Sequence, residues 1–400
     1  MSLLGKRIKY INEGNAHIVL HVIDTDYVIR IIKENGVTAN INTISNSVNY
    51  VNLVMVPLVF GFNKYRHEVI ELPPEEIVKL SIYLKDIRPK HRLVKSVFSK
   101  YAIKAPNLAI ISSNSENYCL ELKPKEGFLS ESFKKISKCY YCLKQHLKVD
   151  EKQIICKTDY CPLDLFSGDH IRMKRALINL IKNPQNNLKL FQNENIVYDE
   201  KSNMEDFEDL ITKNIFSSVN KFNDFIIAIL LNDGISNLIL KESPDLKIVK
   251  PNYCYESKNL NANSFLYKLL AIQMVSETFE SQPLNLNTIE SEDLEYVPIL
   301  ITSMKENNID LTNEIHRKKF MDTTNSKDLA LISAVAKDCS VMISYSLTPN
   351  DKLPFVKIDN TDVYYSVSVT DLEPKSPKTL VKRQKTERKL LEIYEKLLNS

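Results

Sequence analysis

The sequence predicts an α+β protein with two lobes, a small β-rich N-lobe followed by a larger mixed α/β C-lobe. In about the first third of the 400 residues, short runs of β-branched residues alternate with turn signals, which is typical of antiparallel strands. Beyond that point, apolar residues recur at three-and-four spacing, which predicts helices. With 44% hydrophobic residues, the chain can bury a sizeable core.

The N-lobe is predicted to span residues 1–112. Its first strands are the runs "RIKYI", "HIVLHVI" and "YVIRIIK", joined by hairpin turns. Helices are predicted over residues 39–55 and over "LPPEEIVKLSIYLKDI", where Pro73 and Pro74 suit a helix start. The runs "NLAIISS" and "YCLELK" predict a further strand pair.

The C-lobe is predicted to span residues 113–400 and to be mostly helical. Strands return at "CSVMISYSL", "FVKI" and "VYYSVSVTDL", and polar loops are expected over residues 192–205, 241–262 and 280–291. A small β-rich lobe before a larger mixed lobe is the order found in bilobal kinase-like folds. The predicted helices cover residues 131–148, 169–183, 205–215, 218–231, 263–278, 292–307, 325–336 and 384–398.

The charge balance excludes a whole-molecule field for nucleic acid, because 53 Lys+Arg against 50 Asp+Glu leave a net charge of +3. Anion sites must therefore come from local clusters such as residues 85–104 and 375–389. The sequence has no leader pattern and no run of about 20 uninterrupted apolar residues. Seven cysteines fit reduced thiols. We expect a soluble monomer of the cytoplasm or nucleus, with neither a membrane nor a specific nucleic-acid partner.

Several residues in the N-terminal part have side chains or backbone suited to phosphate. Gly14, in a hairpin, could cover phosphates with backbone N–H groups, and Arg30 lies within a strand. In "LELKPKEGF", strand alternation puts Glu121, Lys123 and Lys125 on one face, where two ammonium groups suit a polyphosphate. The alternatives are an ordinary turn for Gly14, an exposed edge strand for Arg30 and a solvated strand face for the lysines.

Further candidates follow in the larger lobe. In "PQNNLKLF", Asn186, Asn187 and Lys189 offer several hydrogen-bond donors, although asparagine pairs are also common in turns and caps. Asp338 and Asp371 each lie at a strand end. Phosphoryl transfer needs carboxylates to hold Mg²⁺ and one to orient or deprotonate the attacking hydroxyl. The alternative for each aspartate is a turn former.

The stretch "KCYYCLKQHLK" allows two interpretations. Its cysteines could bind zinc together with two that follow. Helical spacing instead puts Lys144 and Lys148 on one face, opposite an anionic ligand, with the cysteines packing elsewhere. We favour the helix with packed cysteines, and a metal analysis finding about one zinc per chain would reverse that choice. The cysteines concerned are Cys139, Cys142, Cys156 and Cys161.

Seven strings, taken together and in this order, resemble the inositol-pentakisphosphate 2-kinase family, in its animal form. They span residues 13–375. The resemblance implies an inositol phosphate kinase fold that transfers the γ-phosphate of ATP, with Mg²⁺, to the 2-hydroxyl of inositol 1,3,4,5,6-pentakisphosphate, giving inositol hexakisphosphate (phytate). The strings are "EGNAHIVL", "LELKPKEGF", "CYYCLKQHLK", "YCPLDLFSGD", "PQNNLKLF", "AKDCSVMI" and "TDLEPK".

The resemblance also implies roles for individual residues. Asp338 matches the catalytic base and a metal ligand, Asp371 the Mg²⁺ ligand, and Lys123 the lysine on the transferred phosphate. On the nucleotide side, the residues that the resemblance implies as contacts of ATP are Gly14, Asn15, Ala16, Arg30 and Glu121. On the acceptor side, the residues that the resemblance implies as contacts of the inositol phosphate are Lys125, Lys144, Lys148, Asn186, Asn187, Lys189, Lys375 and either Arg88 or Arg92.

Two departures from the family pattern are visible. After Lys375 the expected aromatic-rich stretch is replaced by a basic one, so the last cationic contacts are assigned to Lys378, Lys382 or Arg383. The structural zinc of plant members is expected to be absent, because no cysteine lies between Cys254 and Cys339.

Two other functions compete with the kinase. A non-catalytic inositol-phosphate-binding scaffold of the same fold is disfavoured by the presence of both aspartates. A nucleic-acid-binding protein is disfavoured by the balanced charge and by the absence of tryptophan.

Overall fold

The computed structural model describes residues 3, 5–14, 16–34, 40–111, 116–243, 260–277 and 294–398. It confirms the α+β class and the bilobal kinase-like architecture, since a five-stranded sheet precedes a seven-stranded sheet and many helices. The predicted boundary between the lobes, at residues 112 and 113, lies outside the described residues.

The smaller sheet is antiparallel, with the strand order β1-β2-β3-β5-β4. Its first three strands confirm the predicted hairpins. Residues 107–111, predicted as a strand, form a turn, and the strand is the basic segment before them. There Lys100 and Lys104 point outward to glutamates of the neighbouring strand. The strands are β1 (Ile8–Glu13), β2 (His17–Val22), β3 (Tyr27–Glu34), β4 (Glu68–Glu71) and β5 (Val97–Pro106).

Two helical segments lie in this part of the chain, and the second half of the first packs in the core of the larger lobe. The first runs from α1 (Ile41–Tyr50) through a π-helical turn, Val51–Met55, into α2 (Val56–Phe60). By length and composition alone these 20 residues would cross a membrane, but 67% of the segment is buried inside the fold. The second, α3 (Pro74–Ile87), buries Leu80 and Leu84 against the sheet.

The larger sheet has the order β8-β7-β6-β10-β12-β11-β9. Every residue of β10 is buried, so this strand lies at the centre of the lobe. The three predicted C-terminal strands are confirmed as β10, β11 and β12. The strands are β6 (Tyr118–Leu122), β7 (Leu188–Gln192), β8 (Asn195–Tyr198), β9 (Leu238–Ile239), β10 (Ser340–Ser346), β11 (Phe355–Ile358) and β12 (Thr361–Thr370).

The helices of the larger lobe follow the predicted ones with three differences. The helix predicted over residues 131–148 is broken at residues 135–139, where Ser137 has a φ of 49°. Pro162–Leu165 and Glu314–Thr323 are additional helices, and the last helix begins at Lys378 rather than at residue 384. Residues 278 and 292–293 of two predicted helices lie outside the described part. The helices are α4 (Glu131–Lys134), α5 (Tyr140–Asp150), α6 (Pro162–Leu165), α7 (His170–Lys182), α8 (Met204–Thr212), α9 (Val219–Leu230), α10 (Phe265–Met274), α11 (Tyr296–Glu306), α12 (Glu314–Thr323), α13 (Ser326–Ala336) and α14 (Lys378–Leu398).

Of the predicted loops, residues 192–205 contain the short strand β8, which the sequence did not indicate. Most of the predicted loop over residues 241–262, and all of the one over 280–291, lie outside the described residues.

Candidate active site

Two predicted carboxylates lie at the same edge of the larger sheet. Strands β10 and β12 pair antiparallel with Ser340 opposite Thr370, so Asp338 just before β10 and Asp371 just after β12 share that edge. The backbone of Asp371 is left-handed, with a φ of 63°. Aspartate adopts this conformation more often than most residues with a Cβ.

Lysines from the segment after β6 and from the segment after β12 meet these carboxylates. The Nζ of Lys123 lies 3.0 Å from Oδ2 of Asp371, and the Nζ of Lys125 lies 3.2 Å from Oδ1 of Asp338. Lys375 reaches the other oxygen of Asp338 at 2.7 Å. The structure therefore brings together five residues that the sequence had singled out in three separate strings.

The charges of this group shift one another's pKa values. Partial burial raises the pKa of Asp338, but the ammonium groups of Lys125 and Lys375 outweigh it and lower the pKa to about 2. Burial also lowers the pKa of Lys125. For Lys123, the carboxylate of Asp371 outweighs burial and raises the pKa. Asp338 is therefore ionised at neutral pH.

A cleft of about 500 Å³ opens on the Asp371 side, between the two sheets. Gly14, Ala16 and Arg30 line it, as predicted for the nucleotide side, whereas Asn15 lies outside the described residues. The guanidinium of Arg30 lies 2.5 Å from Glu373, a partner that the sequence analysis had not singled out.

The charged groups of this cleft are held in fixed ionisation states. Burial raises the pKa of Glu373, but Arg30 and His17 outweigh it and lower the pKa to about 2. Burial and the nearby Arg30 lower the pKa of both His17 and His67 to about 4. At neutral pH the cleft therefore contains a paired arginine and two uncharged imidazoles.

The predicted phosphate hairpin is anchored from behind by a buried ion cluster. Glu13 pairs with Lys33 at 2.7 Å and with Arg88 at 2.8 Å, and Lys33 also donates to the carbonyl of Gly14. Burial raises the pKa of Glu13, but the two cations outweigh it and lower the pKa. The cluster fixes the end of β1 where the loop begins.

Arg88 therefore does not reach the acceptor side, which corrects its assignment as one of two alternative substrate contacts. Its side chain is 1% exposed, because the guanidinium is taken up by Glu13 and by the carbonyls of Arg92 and Lys95. Arg92, the other alternative, is half-buried in the short turn Lys90–Arg92 and lines neither cavity of the site.

A second cavity, of about 320 Å³, opens on the Asp338 side and is lined by cations. It contains Lys144 and Lys148, which share a face of α5 as their spacing predicted, and it contains Asn187. Of the three weak C-terminal assignments, Lys382 and Arg383 line it and Lys378 does not. Its cations are Lys125, Lys144, Lys148, Lys337, Lys375, Lys382 and Arg383.

Two of these cations interact with a buried carboxylate in the same wall. Arg383 donates to both oxygens of Glu126, at 2.9 and 2.7 Å, and its guanidinium lies 4.5 Å from the Tyr140 ring centre. Lys337 lies 3.6 Å from Glu126. Lys337, which directly precedes Asp338, was not among the predicted site residues.

The three residues predicted in "PQNNLKLF" do not lie together at the site. Asn187 is buried, and its side-chain amide donates to the Tyr141 hydroxyl at 3.1 Å. Its backbone carbonyl accepts the backbone N–H of Lys123 at 2.8 Å. Asn186 is exposed, and Lys189 lies opposite Glu121 in the β6–β7 pair; neither lines the cation-lined cavity. In this structure, only Asn187 of the three reaches the site.

Oxygen ligands suited to Mg²⁺ lie beside the cleft that Asp371 lines. The hydroxyl of Ser340 donates within 3.0 Å of Glu121 Oε1 and lies 3.1 Å from Asp371 Oδ2, so it joins the two carboxylates. Magnesium prefers carboxylate oxygens and retains several waters. The donor set of Asp371 and Glu121 therefore fits a Mg²⁺ ion that would face the nucleotide cleft.

Three of the four cysteines discussed above converge. The sulfurs of Cys139, Cys142 and Cys161 all lie within 4.8 Å of one another, whereas Cys156 is exposed. In a tetrahedral zinc site with Zn–S of about 2.3 Å, sulfurs lie about 3.8 Å apart. Cys139 is the N-cap of α5, Cys142 lies in its first turn and Cys161 precedes α6, so the three sulfurs are close enough for either packing or zinc. Metal analysis decides between the two.

Comparison with known proteins points to one family. A family model described as "Inositol-pentakisphosphate 2-kinase" matches residues 10–389. The chain is 28% identical over 454 residues to the inositol-pentakisphosphate 2-kinase of Danio rerio, covering 96% of this chain and 92% of that protein. It is 30% identical to the Drosophila melanogaster protein of that name over 141 residues, which cover 28% of this chain and 23% of that protein. For the Arabidopsis thaliana protein of that name the identity is 25% over 301 residues, which cover 71% of this chain and 61% of that protein.

Proposed function

Because this chain belongs to the inositol-pentakisphosphate 2-kinase family, and is therefore a kinase, we propose that it uses ATP and Mg²⁺ to phosphorylate the 2-hydroxyl of inositol 1,3,4,5,6-pentakisphosphate. The products are inositol hexakisphosphate and ADP. One observation carries the proposal: a chain of lysine–carboxylate pairs separates a cleft that suits a nucleotide from a cavity that suits a polyanion.

The nucleotide side uses residues of both lobes. The loop at Gly14 and Ala16 covers the phosphates, and Arg30 supplies a cation close to Glu373. When bound, Mg²⁺ neutralises charge that develops on the phosphate oxygens. Asp371, joined to Glu121 through Ser340, would hold it.

The acceptor side is built for a compact, highly charged ligand. Cations from the segment after β6, from α5, from the end of α13 and from α14 surround one cavity. A ligand with five phosphates requires cations from several directions, because each phosphate needs its own donors.

The transfer step needs only positioning and charge stabilisation from the protein. The 2-hydroxyl oxygen forms a bond to the γ-phosphorus, while the bond from that phosphorus to the bridging oxygen of ADP breaks. Asp338 orients the hydroxyl and accepts its proton, and Lys123 stabilises the charge on the phosphate in transit. Lys125 and Lys375 pair with the two oxygens of Asp338 and so hold its carboxylate in place.

The test compares two aspartates with similar backbones. Asp371 and Asp359 both have left-handed φ values, 63° and 54°, but Asp359 is exposed and pairs with Lys221 away from both cavities. With Mg-ATP and inositol pentakisphosphate, we expect Asp359→Asn to form ADP as the unaltered protein does and Asp371→Asn to lose that activity. Equal activity in all three proteins would refute the assignment of Asp371.

A further inference from the structure

The side chains of Lys125 and Asp338 meet although they belong to segments that strand pairing does not hold together. The β6–β10 ladder ends at Leu122 opposite Val341. Lys125 lies three residues beyond this point on one strand, with a φ of 61°, and Asp338 lies three residues before it on the other. Another contact must therefore set the spacing of the two segments.

Gln273, on helix α10, makes that contact. Its side chain is fully buried. Its Oε1 accepts the backbone N–H of Gly127 at 2.9 Å, and its Nε2 donates to the carbonyl of Lys125 at 2.9 Å and to the carbonyl of Ala336 at 3.1 Å. One amide thus joins the loop after β6 to the turn before β10.

We infer that Gln273 is a positioning residue: its buried amide fixes the loop that carries Lys125 against the turn that carries Asp338. This inference rests on the proposed function, since it concerns how that site is assembled. Gln273 does not line the nucleotide cleft or the cation-lined cavity, so it acts only through the backbone.

The chemistry of the contact requires an amide. Two carbonyls need two hydrogens and one N–H needs an acceptor, which a primary amide supplies and a carboxylate cannot. Loss of the amide would leave three buried backbone groups without this partner, so the two segments would move apart to recover hydrogen bonds.

The surroundings leave little room for a substitute contact. Gly127 packs so closely on the Phe166 ring that a Cβ there would overlap it. The backbone carbonyl of Gln273 is in turn held by the hydroxyl of Ser333 at 2.5 Å. Both neighbours keep the amide and its partners in one arrangement.

The test uses Gln273→Met, which keeps the length of the side chain but removes all three hydrogen bonds. Displacement of a reacting group by about 1 Å can cost about 100-fold in rate. We therefore expect kcat to fall by about 10- to 100-fold, while the KM for ATP stays within about twofold, because the nucleotide cleft is untouched. A purely structural role would instead lower the amount of folded enzyme and leave kcat per folded molecule unchanged.

Ser333→Ala is the matched control. It removes a buried hydrogen bond from the same cluster but leaves the Gln273 amide and its three partners in place. We expect this variant to lose thermal stability and keep its kcat. Equal kcat losses in both variants, or a kcat for Gln273→Met within about twofold of the unaltered protein, would overturn the inference.

A measurement on the unaltered protein covers the case in which Gln273→Met does not fold. The amide hydrogen of Gly127 should exchange with deuterium as slowly as those of the central strand β10, because Gln273 protects it. Fast exchange there would overturn the inference. Failure of the proposed function is distinguishable, since the unaltered protein would then form no inositol hexakisphosphate.

Discussion

The Nζ of Lys375 lies 2.7 Å from Oδ2 of Asp338, on the oxygen that Lys125 does not contact. Both carboxylate oxygens are therefore paired with cations that also line the acceptor cavity. A carboxylate in this position remains charged at neutral pH, and yet it faces a site built for anions. Its negative charge opposes the binding of a polyphosphate, which favours the catalytic role proposed for it.

Asp338→Asn separates binding from catalysis. The amide keeps the shape of the side chain but cannot accept a proton, so we expect turnover to fall by about 10²- to 10⁴-fold. Binding of inositol pentakisphosphate should stay as tight or become tighter, because a like charge is removed from the cavity. Calorimetric titration together with a steady-state assay would measure both quantities. Weaker binding with unchanged turnover is the opposite of the expected result.

The cation-lined cavity predicts that the acceptor stabilises the protein. Its cations repel one another, and a polyanion relieves that repulsion, so we expect inositol pentakisphosphate to raise the melting temperature. Ligand at about 100 times its Kd adds about 2.7 kcal/mol to the free energy of unfolding. Unphosphorylated inositol, as control, should cause no shift, and salt should weaken the effect. An unchanged melting temperature at saturating inositol pentakisphosphate would rule out this site.

The buried cluster behind the phosphate hairpin predicts a large loss of stability for Arg88→Met. Glu13 would remain buried with Lys33 as its only cation from this cluster, and removal of one partner from a buried ion pair typically costs about 3–5 kcal/mol. Chemical denaturation would measure the loss. Lys90→Met, two residues away at an exposed position, should cost about 0.5 kcal/mol or less. Similar losses in both variants would contradict the structural role of Arg88.

The nucleotide cleft predicts that stability declines in mild acid. His17 has a pKa near 4 in the folded protein, against an ordinary value of 6.5, so the unfolded chain binds more protons between these values. The stabilisation is complete above about pH 6.5 and is lost as the pH falls towards 4. Thermal unfolding of His17→Gln should show a shallower decline over this range. His91→Gln, at an exposed site, should follow the unaltered protein, and a shallower decline in both would argue against burial as the cause.

The sequence predicted most elements because local patterns determine them. Strand β11 was predicted at its observed residues, and the four-residue spacing of Lys144 and Lys148 correctly placed both on the cavity face of α5. Strand β5 was missed because its outward lysines made it resemble a basic surface stretch. Its burial pattern is irregular, with adjacent buried residues, so the strand becomes visible only once the pairing with β3 and β4 is known.

The direction in which a charged side chain points was much harder to predict. Arg88 lies in a basic segment like its neighbours, and its inward turn depends on Glu13, which is 75 residues earlier in the chain. Gln273 gave no signal either, because its three partners are backbone groups whose positions depend on the folded chain. Such long-range pairing has no local pattern that a single sequence could reveal.

The central claim is tested most directly by the identity of the product. The protein is incubated with Mg-ATP labelled in the γ-phosphate and with inositol 1,3,4,5,6-pentakisphosphate, and the inositol phosphates are then separated and examined by NMR. We predict labelled inositol hexakisphosphate with the new phosphate at the 2-position, and none with Asp338→Ala. No hexakisphosphate from the unaltered protein, or full activity in Asp338→Ala, would contradict the account.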